Sequence, residues 1–131
     1  KKAALFMAGI AVQQFQQSLP EEQEVVAVLS NLVIEVYAME SAVLRARKQA
    51  SASSPGAAAG FHCDAARCYI HQAADRIEME ARRALPRIAQ GDMLRSHVAL
   101  LRRFLKRIPA DTIELRRCLA GRALELGRYP F

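Results

Sequence analysis

Residues 25–48, VVAVLSNLVIEVYAMESAVLRARK, decide how this chain is read. At about 3.6 residues per turn, Val25, Leu29, Val33, Val36, Val43 and Leu44 fall on one side. Ser30, Asn31, Ser41 and Arg45 fall on the other. The run predicts an amphipathic helix broad enough to be packed by several partners. Its acidic entry (Glu21, Glu22, Glu24) and basic exit (Arg45, Arg47, Lys48) both complement the helix dipole. Glu40 breaks the pattern, projecting near the middle of the apolar arc. A carboxylate there is either paired, with Arg116 or Arg76 as candidate partner, or a general base in a pocket.

Residues 2–18 predict a first helix whose Leu5, Phe6, Met7, Ile10, Val12 and Phe15 require cover on more than one side. Pro20 and the acids after it mark the start of the long helix. Residues 51–60, SASSPGAAAG, are the one shift in composition and predict a flexible inter-helix loop. A third helix follows from near Phe61, with Cys63, Ala66, Ile70, Ala73, Ala74, Ile77, Ala81 and Ala84 on one packing face. Pro86 kinks or ends it. Gly91 and Asp92 supply a stop and an N-cap for a fourth helix over 93–108. Pro109 stops that helix. Asp111-Thr112-Ile113-Glu114 opens a fifth, closed by Gly127, with Leu115, Leu119, Ala123 and Leu126 inside. The tail 128–131 is too short to classify. No segment alternates as a strand does, so the fold expected is all-α: an antiparallel bundle of four to five helices.

At 131 residues and 52% hydrophobic content the chain forms a single domain with a real core. Three cysteines at irregular spacing make no disulfide framework, which places it in a reducing compartment. No stretch approaches the roughly 20 apolar residues of a membrane span. The chain opens on Lys1 rather than Met, as expected of a piece of a longer protein. The net charge of +6 permits an anionic partner. Arg95, Arg102, Arg103, Lys106 and Arg107 gather on one face of the fourth helix, opposite Leu94, Val98, Leu101, Phe104, Leu105 and Ile108. That face is a candidate for docking on an acidic protein surface or on an anionic membrane. Nucleic acid is excluded as a partner: no helix-turn-helix spacing, zinc finger or aromatic platform is present.

His62, Cys63, Cys68 and His71 form the sharpest cluster of chemical groups. A zinc site needs four converging ligands, and on one helix only Cys68 and His71 share a face, so small packed thiols beside imidazoles are the favoured reading. Glu-x-x-His pairs for a di-metal bundle are absent. No elbow or orienting base frames a nucleophile. An independent enzyme or metal protein built on Glu40 or on this cluster is the alternative to a docking domain.

VIEVYAMESAVLRARK (33–48), CDAARCYIHQAADRIEMEARRALPRIAQGD (63–92) and DTIELRRCLAGRALELGRYPF (111–131) resemble the C-terminal extension of very-long-chain-type acyl-CoA dehydrogenases, over essentially the whole chain. The resemblance implies an upstream core that binds FAD and abstracts the α-proton of an acyl-CoA with its own glutamate, a role neither Glu35 nor Glu40 inherits. It implies a helical accessory domain, residues 1–131, without catalytic, cofactor-binding or metal-binding residues of its own. That domain packs on the dehydrogenase core of the same chain in a homodimer. Peripheral membrane attachment accompanies such extensions in mitochondrial members. The Ala- and Arg-rich usage points to a bacterial source and hence to the cytoplasm.

Overall fold

The computed structural model describes residues 1–52 and 57–127. They form α1 (Lys2–Phe15), a 3-10 turn (Gln16–Glu21), α2 (Gln23–Ala52), α3 (Ala57–Ile88), α4 (Gly91–Leu105) and α5 (Thr112–Leu126), with no strand among the described residues. The expected all-α class and helix count hold. The 51–60 loop is shorter than expected, because Ser51 and Ala52 continue α2 and Ala57 already belongs to α3. What separates the two helices, residues 53–56, lies outside the described residues, as does the tail 128–131.

The chain divides into two compact units. One comprises residues 1–37 and 74–107, the other 38–73 and 108–131, so α2 and α3 contribute to both. The first unit holds the large core side chains: Met7, Leu32, Leu85 and Leu101 are fully buried. In α1, Ala3, Met7 and Ala11 recur every fourth residue as a single buried stripe, while Leu5 and Val12 are exposed. The cover expected on several sides of α1 is therefore not built. The helix ends at Phe15 because Gln16 takes a positive φ of 48°, and the 3-10 turn absorbs Pro20. Phe6 packs edge-on against His97 and Phe104 of α4, with ring centroids 5.5 Å apart in each case.

On α2 the buried residues of this unit are Val25, Val28 and Leu32, and Val33 faces solvent. The inner stripe is thus rotated from the one the spacing suggested. Two bidentate ion pairs fix the direction of α3 against it. Glu35 meets Arg76 at 2.5 and 2.9 Å, and Glu22 meets Arg87 through Nε at 2.8 Å and through Nη2. Stepping back along α2 steps forward along α3, which is antiparallel packing. Ala73, Ile77, Ala81, Ala84, Leu85 and Ile88 are the buried positions on this stretch of α3 and its approach. Pro86 does not end the helix: it sits on the exposed side beside Arg82, whose carbonyl its ring deprives of an amide partner and leaves to water. Between α3 and α4 the N-cap is Gln90, in extended conformation, followed by Gly91 at φ +57°, a value costly for any residue with a Cβ. Asp92, expected as the cap, stands exposed in the first turn and pairs with Arg95.

In the second unit the buried side chains among the described residues are all small: Ala46, Ala66, Cys68 and Ala73. Close helix approach is what they permit. α5 is well bounded: the Asp111 carboxylate accepts from the amides of Ile113 and Glu114 at 3.1 and 2.9 Å, and Gly127 closes it in the left-handed region at φ 59°. Yet α5 buries no residue fully.

Candidate functional site

The basic face of α4 is real in part. Arg95, Arg102, Arg103 and Lys106 are exposed, alongside exposed Leu100 and Phe104. Arg107 leaves it. The helix stops at Leu105, three residues short of Ile108, so Arg107 swings back to α3, where it ion-pairs with Asp75 and lies 3.6 Å from Glu78. Its guanidinium is neutralised there and half-buried. Arg95 is itself partnered by Asp92 at 3.3 Å, which leaves Arg102, Arg103 and Lys106 as the strongest positive feature.

The buried Glu40–Arg116 pair is not what the structure builds. Both residues are exposed, no charged group is buried among the described residues, and Arg116 Nε donates to the Thr112 carbonyl at 3.0 Å. The half-buried carboxylate on α2 is instead Glu35, five residues earlier, and it takes Arg76. Periodicity placed Glu40 inward because the inner stripe was phased on Val33 and Val36. Phased on Val28 and Leu32, the arc brings Glu35 toward the neighbour and turns Glu40 out.

The cysteine and histidine cluster does not converge. Cys63 is exposed, Cys68 is buried with its sulfur accepting from Gln72 Nε2 at 3.7 Å, and His62 and His71 are half-buried. Among the described residues no group of three or more His, Cys, Asp or Glu side chains could hold a metal ion. Cys118 is exposed on α5. Its thiol is held above the ordinary range, chiefly by donating to the Glu114 carboxylate at 3.5 Å and further by partial desolvation and the charges of Glu114 and Asp64. A thiol so protected is a poor nucleophile at neutral pH.

Two cavities open on the first unit. One, of about 390 Å³, is lined by Glu22, Glu24, Val28, Glu80, Arg83 and Arg87. Three carboxylates face two guanidinium groups there, one of them already bound to Glu22, so the cavity repels a pyrophosphate. The other, of about 580 Å³, is lined by Gln13, Gln14, Ile88, Gln90, Met93 and His97. It offers amides and the edge of Arg87, whose guanidinium Glu22 already holds. His97 Nδ1 is buried without a hydrogen-bond partner. Neither cavity has the chemistry of a flavin site.

What the spacing did not single out is the outward side of α2. Val26, Val33, Ile34 and Tyr37 are exposed there as one apolar strip. The signal was in the sequence, since α2 is apolar nearly all round, but only the phase set by α3 tells inside from outside. By length and composition Gln23–Ser51 is apolar enough to cross a membrane, its most apolar 18-residue window reaching a mean hydropathy of 1.5, contrary to the expectation that no stretch would be.

The helices carry charged faces and an exposed apolar strip, and no reactive centre is assembled among the described residues. Residues 1–103 match the acyl-CoA dehydrogenase C-terminal domain family, and the chain belongs to it. A probable acyl-CoA dehydrogenase of Bacillus subtilis (strain 168) is 34% identical over 131 residues, covering 98% of this chain and 22% of the relative. A crystal structure of an acyl-CoA dehydrogenase complexed with FAD from Bacillus anthracis superposes with a TM-score of 0.91 at 32% identity, again over 98% of this chain and 22% of that one. The chain thus spans about a fifth of the length of these relatives.

Proposed function

We propose that this chain is the C-terminal accessory domain of an FAD-dependent acyl-CoA dehydrogenase of the very-long-chain type, serving fatty acid β-oxidation in a bacterial cytoplasm. Its work is docking on the upstream dehydrogenase portion and assembly of a homodimer, not catalysis. The observation that carries this reading is the match of 98% of the chain to 22% of relatives named as acyl-CoA dehydrogenases, one of them complexed with FAD. The upstream portion holds the flavin and the proton-abstracting base. The domain supplies packing surface.

Mixing the chain with the upstream portion of its own gene product, followed by sizing, tests this. A co-eluting complex carrying FAD absorbance supports it; an upstream portion that is dimeric and fully active without associating overturns it. The chain-length profile of the full gene product on acyl-CoA substrates tests the very-long-chain assignment.

A second reading rests on Arg102, Arg103 and Lys106 standing beside exposed Leu100 and Phe104. That combination suits an anionic membrane surface. Neutralising the three cations should weaken binding to anionic vesicles at low salt, and unchanged or absent binding removes this reading.

A further inference from the structure

We propose that the outward strip of α2, Val26–Val33–Ile34–Tyr37, is the face on which the upstream dehydrogenase portion of the same gene product seats, rather than the basic face of α4. The proposal rests on the docking reading above and names its surface.

The strip is continuous by helical geometry. At about 100° per residue, Val26, Val33 and Tyr37 fall within about 40° of one another, with Ile34 to one side. Val25, Val28 and Leu32, the buried residues, lie about 130° around the helix. The four outward side chains are 37%, 61%, 62% and 73% exposed respectively, and only 17% of the most apolar window of α2 is buried. Aligned large apolar side chains left in water mark an interaction surface, whereas scattered ones do not.

Charge selects the occupant. From Gln23 to Leu44, α2 carries Glu24, Glu35 and Glu40 and no Lys or Arg. A helix that lies on an anionic bilayer presents basic residues beside its apolar face. Beside this strip stands the Glu40 carboxylate, which the bilayer repels. Glu24 and Glu35 lie on the α3 side, and the cations Arg45, Arg47 and Lys48 come only after the strip. Charge-poor apolar surface with an aromatic residue at one end is instead the composition of a protein interface core. The occupant is also available in quantity: the relatives are several times longer than this chain, so most of their polypeptide is the dehydrogenase portion outside it. α4, by contrast, carries its cations in the open, the composition of an interface rim or of a solvated face.

The experiment uses the full-length gene product carrying Val33→Cys, Tyr37→Cys or, as reference, Arg102→Cys. Maleimide labelling rates are normalised to the urea-unfolded protein and read site by site by peptide mass spectrometry, apart from the native thiols. Labelling at 33 and 37 at least tenfold slower than at 102 is the expected result. Open positions 33 and 37 with a blocked 102 overturn the face while leaving the docking reading intact. All three open likewise overturns the face, and the docking reading then stands or falls on the co-elution experiment above. A disulfide between two Tyr37→Cys chains under mild oxidant, or protection appearing only on adding anionic vesicles, overturns the occupant in favour of a second copy of α2 or a membrane.

Discussion

Arg87 is held between a carboxylate and a ring. It forms a bidentate pair with Glu22, and its guanidinium carbon sits 5.8 Å from the Phe15 ring centroid. The hydrogen bond from Arg87, aided by its charge and opposed by partial desolvation, holds the Glu22 carboxyl below its ordinary value of 4.5. A carboxyl lowered in the folded state stabilises the fold above the unfolded value and loses that contribution as pH falls through the folded one. Glu22→Gln should therefore be less stable than the parent at pH 7, with the gap closing below pH 4.5, in urea titrations run along the acid limb. At Cys118 the same logic runs through a thiol: Glu114→Gln removes the charge and the strong acceptor, so alkylation of Cys118 at pH 8 should speed several-fold while Cys63 is unchanged. Glu22 and Arg87 were not legible beforehand as a pair across elements. They are 65 residues apart, and spacing along one helix carries no information about such a contact. Asp111 and Gly127, whose roles are local, were read correctly.

At the scale of elements, the helices were legible and their facing was not. Period 3.6 identifies α2, but Val26, Val33, Ile34, Tyr37 and Leu44 make it apolar on the side that remains exposed as well as on the side that is buried. With apolar residues nearly all round, the inward arc is chosen by what packs there, and only the α3 partner supplies that. Glu35 follows from the chosen phase. Glu35→Ala should destabilise the chain by about 1.5–3 kcal/mol, the range for hydrogen bonds to charged groups, toward the lower end because Arg76 remains open to water. Glu35→Gln should cost less, and exposed Glu40→Ala less than Glu35→Ala, all measurable by denaturant midpoint. The core of the first unit gives the larger effect: Leu85→Ala, at a position with no exposed area, should cost about 2–5 kcal/mol. Proline and glycine punctuation was half legible. Pro109 falls beyond α4 as read, while Pro86 is carried inside α3, on its exposed side and two residues before its end.

For the whole molecule, the helical class followed from period and composition, and the family from the wording of several helices together; the surfaces left open to a partner did not. Which residues meet a partner depends on what the chain leaves uncovered, and that is known only after its own contacts are satisfied. The sharing of α2 and α3 between the two units has a kinetic consequence. The unit holding Met7, Leu32, Leu85 and Leu101 has large side chains to hold it closed; the other, among its described residues, buries alanines and one cysteine. Opening free energies track buried apolar contact, not helix boundaries. Amide protons of α2 should therefore exchange in two classes, slowly before about Tyr37 and faster after Ala38, and those of α3 in the reverse order about Ala74. A uniform protection factor along either helix would show that the rods, rather than the units, are what unfold.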